Sequence, residues 1–365
     1  MTLRVVEWST GAVGRRAIAG IDAHPDLELA GVWVSDPAKV GKDAGELAGL
    51  GRDLGVLATD DRAALLALAP DAIVHTAMTD DRIFEAIDDL ISFVEAGVNV
   101  VSSGPVVLQF PQGILDQKLL DRIAAAGAAG GASLHVNGID PGFANDVLAL
   151  SMTSLSQRID EVRCLEIADY STYYQPVVMR DIFGFGQPMD ATPLLLLPGV
   201  LAMGWGSVVR QLAAGLGLTL DEPLIERHER IVAGRDYSTV SVEIPAGTMA
   251  ALHFEVVGQV AGVDRIVLEH YTRTHPEQCP QWPSPVDGDG CYRVTISGEP
   301  QMSVELAHHG ENGDHNVSGM IVTAMRLVNS VAAVVDAQPG LVTALDLPLI
   351  TGAGLVSRWD AGFAR

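Results

Sequence analysis

The chain has 365 residues, enough for about two domains with separate cores. Its 48% hydrophobic and 19% charged residues exclude a disordered, fibrous or low-complexity polypeptide. Lys and Arg total 23 against 46 Asp and Glu, a formal net charge of −23 whose field repels nucleic-acid phosphates and anionic membrane surfaces. The expected partner is therefore a small-molecule substrate, with neither nucleic acid nor a membrane, and an anionic ligand requires a locally built site. Cys164, Cys279 and Cys291 lack CxxC spacing, which argues against a disulfide framework or a structural zinc and suits a cytoplasmic location. Met1 to Trp8 does not have the pattern of a leader peptide.

In chain order, Leu3 to Trp8 predicts a strand, Arg15 to Ile21 a helix and Leu27 to Val34 a second strand. Ala63 to Leu68 predicts a helix, Ala72 to Thr76 a strand, Arg82 to Ala96 a helix, Val98 to Ser102 a strand, Leu115 to Ala129 a helix and Ser133 to Val136 a strand. Strands alternating with crossover helices predict an α/β fold with an N-terminal doubly wound parallel sheet of the Rossmann type. Later runs at Glu161–Tyr170, Thr239–Ile244, Ala250–Gln259, Asp264–Thr274 and Cys291–Ser297 have fewer helices between them, which predicts a second, α+β domain on a mixed or antiparallel sheet. The nearly uncharged stretch Ala191 to Val209 is broken by Pro193, Pro198 and three glycines; it reads as buried helix or subunit contact rather than a membrane span. Val317 to Val335 has helical periodicity and could return to the first domain. The expected boundaries are 1–145 with about 317–365 for dinucleotide binding, and 146–316 for substrate binding and dimerisation.

The sharpest motif is Ser9-Thr10-Gly11-Ala12-Val13-Gly14-Arg15. Glycine permits a tight turn and close backbone approach, and a helix N-terminus offers N–H donors to a pyrophosphate. The spacing departs from GxGxxG, so its position between the first strand and the first helix carries the reading. The alternative is a glycine turn without a ligand. Candidate dinucleotide residues are Thr10, Gly11, Ala12, Val13, Gly14 and Arg15 here, then Thr76 and Ala77, Ser102 and Gly104, and Asn137 and Gly138 at later strand ends. After the second strand, Ser35 and Lys39 suit the 2′-phosphate of NADP, while Asp36 suits a ribose hydroxyl or caps a turn. NADP is expected, with NAD as the alternative.

Trp8 to Arg15, Asp36 to Leu47, Asn99-Val100-Val101-Ser102, Gly138-Ile139-Asp140-Pro141-Gly142-Phe143-Ala144 and Ala324 to Asn329 together resemble the dihydrodipicolinate-reductase-like proteins, most of all the 2,4-diaminopentanoate dehydrogenases and native amine dehydrogenases. The resemblance spans nearly the whole chain. It implies a Rossmann domain, a mixed-sheet substrate domain, a homodimer, and NAD(P)-linked interconversion of an amine with an imine or ketone. It also implies a glutamate just after Asn99–Ser103, where this chain has Gly104-Pro105-Val106-Val107 and no carboxylate before Asp116. Asp140 replaces an asparagine common in the family's turn.

Candidates to take over acid–base work are Glu166, Tyr173 and Asp140. Glu166 lies on a half-apolar strand where burial could raise its pKa toward a general-acid range, or it is a surface or ion-paired residue. Tyr173 and Tyr174 could donate to a carbonyl or imine nitrogen, or pack at an interface. His135 reads as structural. The loop His308 to Asn316 reads as a polar loop capping the last helix, so no metal is expected. Thr323 and Asn329 on that helix are expected near the cofactor. These readings combine into an NADP-dependent oxidoreductase that transfers hydride to or from C=N or C=O of a small substrate, which an apolar wall from Leu194 to Trp205 would make hydrophobic. The rival is a dinucleotide-binding sensor or scaffold without turnover.

Overall fold

The computed structural model describes residues 2–310 and 313–356. Two units are distinguished: Met1–Pro105 with Gln117–Gly138 and Ile321–Arg365, and Val106–Asp116 with Ile139–Met320.

In the first unit, short runs of β-branched and apolar residues form strands and the stretches between them form crossover helices. The order is β1 (Leu3–Trp8), α1 (Gly14–Ala23), β2 (Leu27–Trp33), α2 (Ala44–Ala48), β3 (Ala58–Thr59), α3 (Arg62–Ala67), β4 (Ala72–His75), α4 (Ile83–Glu95), β5 (Asn99–Ser102), α5 (Gln117–Gly130) and β6 (Ser133–Val136). These strands and a late one, Gly340–Leu341, pair in parallel. With that late strand first, the order is β6-β5-β4-β1-β2-β3, reversing direction of growth at β1. β4 and β6 are buried along their whole length, as strands covered on both faces must be.

The second unit holds α6 (Val147–Thr153), β7 (Arg158–Asp169), α7 (Val200–Gly204), α8 (Gly206–Gly215), β8 (Ile225–Val232), β9 (Tyr237–Ser238), β10 (Glu243–Ile244), β11 (Met249–Val260), β12 (Val263–Arg273), β13 (Gly290–Glu299) and β14 (Met302–Ala307). Its six-stranded sheet runs β14-β13-β7-β12-β11-β8. Only β7 and β12 pair in parallel; the other pairs are antiparallel. Alternation along the strands sends Cys164, Leu252, Phe254, Leu268 and Val294 into one core with Leu195, Leu201 and Val208.

α9 (His315–Val335) passes from the second unit into the first, followed by β15 (Gly340–Leu341). Ala324, Leu327, Val328, Val331 and Val334, at helical spacing, pack with Val5, Ala17, Ile21 and Val74.

One expectation is corrected, the interrupted helical reading of Ala191–Val209 is kept, and two edge strands are added to those expected. Thr239–Ile244 is not one strand: the Thr239 hydroxyl accepts from the Ser241 and Val242 amides and folds the segment into a turn, leaving only Glu243–Ile244 to pair with Tyr237–Ser238. Ala191 to Val209 contains a single 3-10 turn, Leu194–Leu196, and then α7 and the start of α8, because its prolines and glycines interrupt a longer helix. β8 and β14, the two edge strands, carry Ile-Glu-Arg-His-Glu-Arg-Ile-Val and Met-Ser-Val-Glu-Leu-Ala, a weak apolar signal compensated by ladder bonds to β11 and β13.

Candidate functional site

The turn between β1 and α1 is built for close approach. A Cβ on Gly14 would lie 2.3 Å from the Ser9 carbonyl oxygen and 2.7 Å from Thr76 Oγ1, whereas Gly11 faces open space apart from Ser9 Oγ at 3.8 Å. Ser9 holds φ 113°, a conformation rare for a non-glycine residue and typical of constrained functional turns. Arg15 N donates back to Gly11 O at 3.1 Å, closing the first helical turn, while α1 has no side-chain cap and no acidic residue in its first turn. Its N-terminal donors therefore suit an anion.

Beneath this turn Glu7 is fully buried, and burial pushes its carboxyl well above the usual range even though Thr76 Oγ1 donates to it at 2.5 Å. Lys39 Nζ reaches Thr10 Oγ1 at 3.0 Å, so its cation sits beside the turn. Asp36 accepts from the Ala38 amide at 2.9 Å and caps the 3-10 turn Pro37–Lys39, while Ser35 is exposed. The structure thus gives Asp36 the turn-capping role that the residues had left open.

The remaining dinucleotide candidates differ in availability. Ser102 is fully buried, its hydroxyl held between His75 Nδ1 at 3.0 Å and the Gly104 carbonyl, so it braces β4 against β5. Gly104 packs so closely that a Cβ would meet Thr79 Oγ1 at 2.4 Å. Ala77 is half-buried and Gly138 buried. Asn137 donates to Ser330 Oγ at 3.3 Å, and the side-chain carbonyls of both Asn137 and Asn329 are buried without a partner among the described residues. Those two oxygens could accept from a carboxamide. His135 Nδ1 lies 2.8 Å from the Val342 carbonyl and burial lowers its pKa to about 4, as a structural histidine requires.

In the second unit three residues from distant parts of the sequence converge. Asp140 precedes α6, Glu166 is on β7 and His270 on β12, which pairs with β7 so that His270 and Glu166 are register partners. His270 Nδ1 is 2.8 Å from Glu166 Oε2, and Nε2 is 3.3 Å from Asp140 Oδ2, with the His270 and Asp140 side chains 2% and 3% exposed. Tyr170 donates to Glu166 Oε1 at 3.1 Å and stacks on Tyr173, ring centres 4.6 Å apart. His270 lies flat on Phe254 at 4.5 Å and takes the edge of Trp205 at 5.0 Å. The remainder of the expected apolar wall does not join the cluster: Leu195, Leu196 and Leu201 belong to the core.

The electrostatics separate two carboxyls. Burial pushes Asp140 up to about 7, helped by the Glu166 and Asp146 charges and opposed by His270. Burial alone would raise Glu166 too, but the hydrogen bond and charge of His270 outweigh it and hold Glu166 below the usual range. Of the two readings left open for Glu166, the ion-paired one holds, with a neighbour, His270, that the sequence did not point to. Asn145 is the side-chain amide neighbour of Asp140 and lowers its pKa, but no hydrogen bond of good geometry among the described residues reaches either Asp140 oxygen, Asn145 Nδ2 or Oδ1, or Trp205 Nε1, all buried. Buried polar atoms are normally paired, so this group of orphans is a seat for a polar ligand. Tyr174 is 72% exposed.

His270 was missed because a lone histidine in an apolar strand carries no local signal. In the loop His308 to Asn316, Glu311 and Asn312 lie outside the described residues. His308 and His315 stack at 4.4 Å, and Asp314 accepts from the Val317 amide at 3.0 Å at the start of α9. The three cysteines are free and buried.

Residues 143–358 match the family model described as the 2,4-diaminopentanoate dehydrogenase C-terminal domain. Over 358 residues, 98% of this chain and 99% of the relative, the sequence is 44% identical to an amine dehydrogenase of Streptomyces virginiae. It is 27% identical over 275 residues, 74% of this chain and 72% of the relative, to 2,4-diaminopentanoate dehydrogenase of Acetoanaerobium sticklandii. Among solved structures, the amine dehydrogenase from Mycobacterium smegmatis superposes with a TM-score of 0.76 at 21% identity, covering 96% of this chain and 97% of that one. With one relative at 44% identity along the full length and a family model over more than half of it, the chain belongs to the amine dehydrogenase and 2,4-diaminopentanoate dehydrogenase family of oxidoreductases.

Proposed function

We propose that the protein is an NADP-preferring amine dehydrogenase, interconverting a small primary amine with its carbonyl compound and ammonia through a C=N bond. The observation that carries this reading is the Asp140 carboxyl, buried with both oxygens unpartnered beside the His270–Glu166 pair. Such an acceptor favours a donor that brings positive charge, and an ammonium or iminium nitrogen supplies both.

The Gly14 turn fits a dinucleotide pyrophosphate, with Gly11 open to it and Lys39 alongside. With Asp36 engaged in its own turn, Lys39 beside Thr10 and Ser35 exposed, a 2′-phosphate is favoured over a bare ribose. The nicotinamide, when bound, supplies the hydride chemistry. Asp140 accepts the nitrogen-bound proton in amine oxidation and returns it in the reverse direction; a carboxyl titrating near neutrality suits both tasks. Tyr173, stacked on Tyr170, supports the Glu166 side of the cluster.

The test is a parallel fluorescence titration with NADPH and NADH, followed by NADPH oxidation with small ketones and aldehydes with and without ammonium. Tighter NADPH binding and ammonium-dependent turnover are expected. Turnover indifferent to ammonium would replace amine chemistry by alcohol chemistry. Binding without turnover on any carbonyl would favour a sensor, the reading supported by Gly104 standing where the family glutamate is expected.

A further inference from the structure

We propose that His270 is a positioning residue: held as an imidazolium by Glu166, it supplies the charge that lets Asp140 exchange a proton with the substrate nitrogen, while leaving both Asp140 oxygens free to meet that nitrogen. The inference rests on the amine reading above and adds the device that sets the basicity of Asp140.

The geometry defines the protonation of the ring. Each imidazole nitrogen faces a different carboxyl, Nδ1 toward Glu166 at 2.8 Å and Nε2 toward Asp140 at 3.3 Å. When both carboxyls are ionised, a neutral imidazole would turn a lone pair on one of them, so in that state the ring holds both of its protons. The Phe254 face at 4.5 Å and the Trp205 edge at 5.0 Å fix the plane of the ring.

The two contacts are not alike. Toward Glu166 the ring makes a short ion pair, whereas toward Asp140 it lies outside hydrogen-bonding geometry and leaves Nε2 and both Asp140 oxygens unpartnered. His270 therefore gives Asp140 charge without occupying it. Without that cation, a buried carboxyl next to the Glu166 charge would stay protonated and could not accept a proton from an ammonium.

The groups around the pair are accounted for on every neighbouring element. Tyr170 donates to Glu166; His315, at the start of α9, and Tyr292, on β13, act on Glu166 electrostatically. Asp146 raises the Asp140 carboxyl and the Asn145 side chain lowers it; the neutral Cys164 on β7 also faces Asp140, and His308 and the neutral Cys291 face Glu166. Glu269, adjacent on β12, is taken up by Arg163, His253 and Tyr271. β11 and the start of α8 contribute the uncharged Phe254 and Trp205. The burial of His270 would discharge it; Glu166 first and then Asp140 reverse that and raise it above the ordinary histidine value.

In proton terms, an ammonium substrate gives one N–H proton to Asp140, leaving a neutral amine, whose carbon would then give its hydride to the bound nicotinamide as the nitrogen lone pair closes the C=N bond of an iminium. His270 stays an imidazolium and Glu166 a carboxylate throughout.

The test uses the full chain labelled with 15N in its histidine rings and no substrate. The His270 signals, identified by their loss in His270→Gln, are expected to remain those of an imidazolium at least one pH unit above the ordinary value of about 6.5. In Glu166→Gln they are expected to titrate at or below it. The kinetic arm follows kcat/KM for amine oxidation against pH: in His270→Gln the acidic limb should move up by at least one unit, a tenfold or greater loss at neutral pH, with NADPH affinity retained. Should His270→Gln fail to fold, Asp140→Asn and Glu166→Gln provide the identification by perturbing Nε2 and Nδ1 respectively. A His270 ring already neutral at pH 6.5, or a titration unchanged by Glu166→Gln, overturns the proposal. Because the spectroscopic arm needs no substrate, its failure is distinct from an absence of ammonium-dependent turnover, which would instead strike the amine reading.

Discussion

A buried polar atom without a partner costs about 1–3 kcal/mol, and Asp140 carries two. Folding alone gives no reason to keep them, so the cost is best understood as preparation for a ligand. Replacing Asp140 by Asn keeps the shape and removes the proton acceptor; a loss of about 10² or more in kcat is expected, in the range for a positioned acid–base group, with NADPH affinity unchanged by fluorescence titration. Equal turnover in Asp140→Asn would remove the assignment. Lys39→Ala should weaken NADPH about tenfold, equivalent to about 1.4 kcal/mol, and leave NADH nearly unaffected; equal losses for both nucleotides would mean that Lys39 meets no 2′-phosphate. Gly14→Ala places a methyl 2.3 Å from the Ser9 carbonyl, and both cofactor binding and melting temperature should fall together. At this scale the sequence was legible where local chemistry is self-contained, as in the Gly11–Gly14 turn. It left two readings open at Glu166, because the pKa there depends on a histidine about a hundred positions away.

Elements were legible to the extent that their apolar period is their cause. Ser133–Val136 coincides with its predicted span, and the α4 and α9 regions were visible as helical stripes, because a helix packed on a sheet repeats its apolar residues every three to four positions. The edge strands β8 and β14 were not, since a strand with half its side chains in water needs no apolar run and is defined by its neighbour's hydrogen bonds. α9 owes its place to Leu327, fully buried with Val5, Ile21 and Val74. Leu327→Ala should cost about 2–5 kcal/mol, read as a lower midpoint in chemical denaturation at unchanged slope. A loss under about 0.5 kcal/mol would mean that α9 is held by something other than its apolar stripe.

For the whole molecule, stability against pH follows from groups buried in their neutral forms. Burial lowers His75 and His135 to about 4. Their unfolded forms therefore bind protons first as the pH drops: the stability they contribute is present above about 6.5 and lost progressively down to about 4, by up to about 1.4 kcal/mol per group per pH unit. Glu7 works in the opposite sense. Its carboxyl is raised by burial, so its contribution is present at low pH and is lost as the pH rises through its folded value. Between pH 6.5 and 4.5 the two histidines therefore work against Glu7, and the melting temperature of Glu7→Gln should fall more steeply over that interval than that of the unaltered chain; equal slopes would contradict the raised carboxyl of Glu7.

The sequence by itself determined the alternation of strands and helices, the change to a mixed sheet after about residue 145, the glycine-containing turn after the first strand and the family resemblance. Each depends on residues close together in the chain, where period and turn chemistry act locally. Only the tertiary structure decided that Asp140, Glu166 and His270 form one cluster, that Asp36 caps a turn, and that Glu166 is held below the usual carboxylate range while Asp140 is pushed up to about 7. Those outcomes depend on strand pairing and burial, which set the distances and dielectric that sequence spacing does not encode.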